Sequence, residues 1–538
     1  MHSNPSVNAH KFSMIPRTEI PRSSFRMQKT LKTTFDSGNL IPIYCEEVLP
    51  GDTVKMRAII FARMATLLFP VMDNLYIETF FFNVPNRLVW QNWKKFMGEQ
   101  DNPGDSISFQ IPTMTSPVAG YTVGSLGDMF GLPTVGQVAG GATFTHSALP
   151  YRAYGLIYNQ WFRDENLINS RTVSIADGPD TTTTTTIAKR GKRHDYFTSC
   201  LPWPQKGATA VTLPLSGNAW VKGIGSNASS NPTAGSQAVD EAGGGSTNYT
   251  AWFRPWTANE VFVDGSGAGA TPNIYADLST ATASTINAIR LAFQTQRFLE
   301  RDARGGTRYT ELVFTHFGVR SPDARLQRAE YLGGGKTPIN INPVAQTGQT
   351  GLTGGTTPLG TLGAIATTVA HGGGHGFSYS ATEHGYIIGL ACITADLTYQ
   401  QGLRRHWSRS TRYDYYDPAF AMLGEQAVLN KEIYCRGDAN DALAFGYQER
   451  WAEYRYNPSE ICGMFRSTSA GTIDPWHLAQ KFTALPTLGQ TFIEEAPPVD
   501  RVVAVTSTNK QFLCDIFYDA KWARPMPLYS VPGQIDRF

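Results

Sequence analysis

Three stretches carry residue types that could do chemistry. The first is HGGGHGF, His371 to Phe377. As the oxyanion loop of an esterase it needs a Gly-x-Ser-x-Gly nucleophile elbow, because the oxyanion donors serve that serine. The nearest pentapeptide, Gly376 to Ser380, lacks the second glycine. As a metal site, His371 and His375 have i,i+4 spacing, which converges only on a helix, and three intervening glycines oppose a helix. His384 adds a third imidazole, with no carboxylate convincingly placed beyond Glu383. The stretch is therefore expected to be a flexible loop, without cofactor or metal.

The second stretch, GGGKT at Gly333–Thr337, resembles the end of a phosphate-binding loop. That motif needs a glycine where Glu330 stands, and Pro338 occupies the start of the helix that should point at phosphate. The third comprises two basic clusters: Lys189-Arg190-Gly191-Lys192-Arg193-His194 beside Tyr196 and Phe197, and Arg404-Arg405-His406-Trp407 followed by Arg409 and Arg412. Cations interleaved with rings suit single-stranded nucleic acid, where phosphates meet charge and bases stack. Pairing with nearby acids such as Asp195, Asp414 and Asp417 suits the same residues, and the sequence leaves both readings open.

The elements that must position these groups read as mainly β. From Asp52, Val54, Met56 and Ala58 alternate with Lys55 and Arg57. Leu75 to Phe82 closes on three phenylalanines and reads as a strand buried on both faces. Further strands are expected at Tyr309–Phe317, Tyr386–Leu397, Val502–Thr506 and Gln511–Tyr518, the last two joined as a hairpin around Thr508–Lys510. Helices are expected after Asn86 (Trp90, Trp93, Met97, ending at Gly98) and after Pro150 (Tyr154, Ile157, Trp161, Glu165). A third is expected after Ser284 or Thr285, with Arg297/Arg301 and Glu300/Arg304 at i,i+4 and a stop at Gly305-Gly306. Residues 217–273 and 345–376 are Gly-, Ser- and Thr-rich and read as surface excursions, and Thr181–Thr186 lies in a third loop. Scattered strands with long insertions suit an antiparallel sandwich rather than a βαβ array.

Composition narrows the function. Charged residues are 17% of 538, against roughly 25% in ordinary soluble domains, while Phe, Tyr and Trp number 29, 23 and 11. So little polar material suits a chain whose outside is buried against copies or partners. Net charge is only +2, so contact with nucleic acid must be local. Residues 1–35 hold six cations, Lys11, Arg17, Arg22, Arg26, Lys29 and Lys32, against Glu19, a local +5. With Pro5, Pro16 and Pro21 they read as an extended basic arm or a solvated terminus. The six cysteines form no C-x-x-C pair, no secretory signal stands at the N-terminus, and no apolar run spans a membrane; a reducing cytoplasm is expected.

Several stretches in order carry a family resemblance: NPSVNAHKFSMIPRTEIPRSSF, FPVMDNLYIETFFFNVPNRLVWQNWKKFMGEQ, LIYNQWFRDENL, KRHDYFTSCLPWPQKG, LERDARGGTRYTE, SPDARLQRAEYLGGGKTPININPVAQT, TEHGYIIGL and VPGQIDRF. The chain resembles the major capsid proteins of the Microviridae, tailless icosahedral phages with circular single-stranded DNA, and among them the gokushovirus-like group. Ala329, where Pro is expected, and Lys336, where Ser is expected, depart from that pattern. The resemblance implies an eight-stranded jelly roll with long insertions and a few helices, assembling from one chain type into the simplest icosahedral shell. It implies packaged single-stranded DNA, internal scaffolding and pilot proteins, a host surface receptor, and assembly in the bacterial cytoplasm. The expected organisation is a basic arm and lead-in (1–50), a first part of the jelly roll (51–216), an insertion forming a three-fold protrusion (217–275) and the remainder (276–538) with a loop at 345–380. Lys11, Arg17, Arg22, Arg26, Lys29, Lys32, Lys192 and Arg193 are the candidate DNA or inner-surface contacts, and no catalytic residue is expected. A carbohydrate-binding or adhesin sandwich is the alternative, and a hydrolase is disfavoured by the missing elbow.

Overall fold

The computed structural model describes residues 21–181, 186–207, 286–320, 327–345, 362–370, 374–504, 506 and 511–529, with the backbone of four short strands between 220 and 277. Lys11, Arg17, His371, Thr182 to Thr185, the Ser284/Thr285 cap, the turn at 508–510 and the final VPGQIDRF lie outside the described residues. The chain divides into a larger unit, 1–204 with 303–538, and a smaller unit, 205–302.

The larger unit is mainly β. Its long strands are β1 (Ser23–Phe35), β2 (Asn39–Val48), β3 (Thr53–Met64), β4 (Leu75–Pro85), β5 (Glu330–Ala345), β6 (Leu362–Ala370), β7 (Gly376–Ser380), β8 (Gly385–Ala395) and β9 (Phe512–Arg524). Hydrogen bonding runs β1-β9-β3-β6-β5-β4-β8-β2, with β7 also on β3 and a two-residue strand, Ala188–Lys189, beyond β2. Every pairing is antiparallel.

The period-two pattern sets which way each strand faces. In β3 Val54, Met56, Ala58, Ile60, Ala62 and Met64 are all buried, while Lys55, Arg57, Phe61 and Arg63 are exposed. β9 alternates likewise, with Phe512, Ile516, Tyr518 and Trp522 inward. Those faces meet Ile43, Tyr44, Ile77, Phe81, Ile387 and Ile393 of the other sheet in one core. Tyr518 crosses between the layers: its hydroxyl donates to the Ile43 carbonyl at 2.7 Å and its ring lies 5.1 Å from Tyr44. All eleven residues of β8 are buried, because a second apolar cluster covers the outer face of its sheet. That cover includes α1 (Leu149–Ile157), which continues as a π-helical turn over Tyr158–Phe162 that carries Trp161 and leaves Glu165 outside.

The phenylalanine run shows the two-sided burial. Phe81 points into the sandwich against Phe377 at 5.2 Å, while Phe80 and Phe82 meet Phe162 and Trp161 of the helical cover at 5.1 and 5.4 Å. β5 passes from one sheet to the other: its residues up to Ile339 pair with β4, and those from Asn340 pair with β6. Pro338, which lacks an N–H, stands at that handover.

Both glycine stretches are answered by packing. A Cβ on Gly334 would sit 2.0 Å from the Thr79 carbonyl oxygen, and one on Gly335 would sit 2.0 Å from that of Gly374. GGGKT is therefore a strand that another backbone must approach closely, rather than a phosphate cradle. HGGGHGF is not a flexible loop over its described part: Gly376 and Phe377 open β7, paired with Arg57 and Met56. The expected loop at 345–380 thus contains two sheet strands, β6 and β7, whose glycines, threonines and alanines hide a buried alternation.

Three other expectations change. Tyr309–Phe317 is a helix, although its residues favour strands. The Glu311 carboxylate accepts from the Thr307 and Arg308 backbone N–H groups at one end, and Gly318, at φ +70°, closes the other. Val502–Thr506 is not a strand beside β9: Val502 and Val503 are buried after a turn at Val499–Arg501 and bond backbone near Thr66–Leu68, since β3 already pairs with β9. The helix after Asn86 is two short turns, Asn86–Val89 and Trp93–Phe96, ending at Gly98 with φ +102°.

The smaller unit holds two short ladders, Trp220–Lys222 with Tyr275–Asp277 and Gln237–Val239 with Tyr249–Trp252, and most of the helix Ile286–Arg304. In that helix the Glu300 carboxylate accepts from Gln296 at 2.8 Å, while Arg304 turns to Glu425 and to Gln448 at 3.0 Å.

Candidate functional site

The first basic cluster closes around acids distant in sequence. Glu78 on β4, nearly buried, receives Arg190, Arg193 at 3.2 Å and Thr394 at 3.2 Å, with the Lys336 ammonium at 3.9 Å. Arg193 also faces Asp396 at 3.6 Å, and Lys336 stands 3.7 Å above the Tyr76 ring. Lys192 is buried; its ammonium donates to Gln480 at 2.9 Å and lies 4.5 Å over Phe492. Burial pushes that ammonium down to about 8 and pushes the nearby Glu495 carboxyl up to about 7. Lys192 is thus an interior brace within this chain, while Arg193 keeps a partly exposed edge.

The second cluster is also paired. Arg405 donates to Glu432 at 3.0 Å and to the Ala427 carbonyl at 2.8 Å, and Tyr196 donates to the same carboxylate at 2.7 Å. Arg409 reaches Glu453 at 3.4 Å and covers the Tyr454 ring at 4.5 Å; Arg404 pairs with Glu460. The acids are again not the sequence neighbours. Large apolar side chains stand exposed over the same stretch of chain: Trp407 is 72% and Met422 96% exposed, and Tyr413, Tyr415, Tyr416 and Leu423 are exposed.

The N-terminal cations sit differently from expectation. From Ser23 onward the arm is strand β1, paired along its whole length with β9. Arg26 bonds Asp519 at 2.9 Å, Lys32 pairs with Asp515, and Lys29, on the opposite face, meets Glu46 at 3.1 Å. Arg22 donates to Thr53 at 2.8 Å. Prolines mark only the segment before β1, and the alternation that follows belongs to the sheet. These pairs are solvent-exposed and screened by water, so they add little stability and the cations still present their charge. The exposed cations of β3 and β9, Lys55, Arg57, Arg63 and Lys521, are not among the candidate contacts, although the period-two pattern after Asp52 marks Lys55 and Arg57 as outward.

His375 holds the seam between β4, β5 and β7. Its Nδ1 and Nε2 each lie 2.7 Å from a hydroxyl, those of Thr79 and Thr337. Burial holds its pKa below the ordinary 6.5. A depressed folded value gives stability that is present above about 6.5 and lost as pH falls through the folded value. Thermal unfolding followed from pH 7.5 to 5.5 should therefore drop more steeply for the native chain than for His375→Gln; parallel curves would refute this. Among the described residues no group of three His, Cys, Asp or Glu could hold a metal ion, and the six thiols are unbridged.

The comparisons with known proteins cover nearly the whole chain. Residues 13–534 match the phage family described as "Capsid protein (F protein)". "Capsid protein VP1" of Bdellovibrio phage phiMH2K is 46% identical, across 99% of both chains. The proteins of the same name from Chlamydia phage 1 and Spiroplasma virus 4 are 40% and 36% identical, across 98% of both chains and across 99% and 98% respectively. The match over residues 13–534 and this full-length similarity show that the chain belongs to the F-protein family of phage capsid proteins and has a structural role in the capsid.

Proposed function

We propose that this protein self-assembles into a small icosahedral shell that encloses circular single-stranded DNA. The observation that carries the reading is the exposure of Trp407, Tyr413, Tyr415, Tyr416 and Met422 on a chain with 17% charged residues. Such exposure is costly in water and suits burial against further copies. We read the sandwich as a jelly roll of eight strands, counting β6 and β7 as one. The order supports this: β1-β9-β3-β6 forms one sheet and β2-β8-β4-β5 the other, and consecutive strands change sheet except between β4 and β5. The insertion at 217–275, within the smaller unit, is read as a three-fold protrusion used in host attachment. Scaffolding and pilot proteins are the internal partners in this reading, assembly takes place in the host cytoplasm, and the chain performs no turnover.

Expressed protein should sediment as megadalton particles and appear as closed shells by electron microscopy. A monodisperse species near 59 kDa, the mass of one chain, under all assembly conditions would reject the reading in favour of a monomeric adhesin-type sandwich.

A further inference from the structure

The two sheets differ on their outer faces. The sheet containing β8 is covered by the helical cluster, while the outer face of β1-β9-β3-β6 leaves Phe61, Leu513 and Val369 exposed, with residues 123–131 lining a cavity only at its Lys32, Phe61 and Arg63 end. Register places its side chains in rows. One row runs Lys32, Asp515, Phe61, Val369; the next toward β1's start runs Thr30, Phe517, Ile59; beyond them lie Arg57 beside Asp519, then Arg26, Lys521 and Lys55. Leu513 and Arg63 flank the first row on the other side. The face therefore has an apolar, aromatic middle, with Phe61 48% exposed, framed by cations. Six cations, Arg26, Lys32, Lys55, Arg57, Arg63 and Lys521, stand against two carboxylates, Asp515 and Asp519, a net of +4 where the whole chain has +2. Lys55, Arg63 and Lys521 have no ion-pair partner among the described residues.

We propose that this exposed sheet face is the surface that receives single-stranded DNA, phosphates meeting the cationic frame and bases lying on Phe61 and its apolar neighbours. The proposal rests on the DNA-enclosing reading above and adds the surface that serves it. A second copy of the chain is the competing occupant. It is disfavoured because copies would bring the same excess of positive charge to a symmetric contact, whereas a polyanion relieves it. A flat sheet with exposed rings and separated cations binds single strands without sequence preference and with strong salt dependence.

The test uses the full chain and the oligonucleotide (dT)20. Lys55→Gln, Arg63→Gln and Lys521→Gln together should weaken binding at low salt at least tenfold. Removing three phosphate contacts should make the slope of log affinity against log salt shallower by about 2, at roughly 0.7 per contact. An unchanged affinity and slope would overturn the proposal. Ultraviolet cross-linking of DNA inside wild-type particles decides independently of whether the variant folds. Cross-linked peptides should come from residues 53–63 and 512–524; DNA-filled particles cross-linked elsewhere, or a face protected by a second copy, would overturn the assignment of this face alone. Wild-type particles devoid of DNA would instead sink the DNA-enclosing reading.

Discussion

Replacing Glu432 with Ala should destabilise the larger unit by about 3–5 kcal/mol, the usual cost of stranding one partner of a buried ion pair. Its carboxylate is almost fully buried and accepts from Tyr196, Arg405 and the Leu429 N–H at 2.7, 3.0 and 2.9 Å. Burial raises its pKa above the ordinary carboxyl value while Arg405 opposes that rise, so the charge is held in place by its partners. Without it, the buried Tyr196 hydroxyl loses its carboxylate acceptor, and the Arg405 guanidinium is left with the Ala427 carbonyl and, at 3.8 Å, Glu453 as its acceptors among the described residues. Glu432→Gln retains the volume and one acceptor, so it should fall between wild type and Glu432→Ala. Thermal unfolding of the three proteins at neutral pH measures the order. A Glu432→Ala midpoint equal to wild type would show that the network contributes nothing.

Phe81→Ala should be comparably severe, at about 3–5 kcal/mol, because it empties a packed interior. Phe81 is fully buried between the sheets, 5.2 Å from Phe377 and 6.3 Å from Tyr44. The site is shaped around the ring: a Cβ on Gly389 would lie 2.6 Å from it. Phe61→Ala is the internal control, since it removes the same side chain from an outward position and should cost no more than ~0.5 kcal/mol. Soluble yield and unfolding midpoint of the two variants should separate clearly; equal losses would mean that the alternation does not set the core.

How much of this was legible follows from where the signal lay. Strong alternation in Val54–Met64 and the phenylalanine run announced β3 and β4 because one or both faces are buried. β6 and β7 were hidden because Ala, Thr and Gly fill a crowded seam where backbones approach closely, a constraint set by tertiary neighbours such as Thr79 and Gly374. The helix at Tyr309–Phe317 is hidden in the sequence because its side chains favour strands while its end groups decide for helix. For the candidate site, the basic clusters are visible but their partners are not: Glu78 lies 112 and 115 residues from Arg190 and Arg193, and Glu432 lies 27 from Arg405, so only the fold brings them together. The family was legible throughout, since its stretches span the chain in order.

The placement of β9 has a consequence for biosynthesis. This strand fills the slot between β1 and β3, so contacts such as Phe35 with Phe512 and Met64 with Phe512 join residues separated by most of the chain. While a ribosome is still making the preceding segments, β1 has no neighbour for its long edge and β3 offers a strip of Met56, Ile60 and Met64 to whatever else is nearby. Sheet closure must wait for the last described strand, which is a recipe for slow, high-contact-order folding and for an aggregation-prone nascent state. Ribosome-stalled chains lacking residues 511–529 should therefore be held by chaperones or precipitate, and commitment to one native register would come only once β9 has emerged.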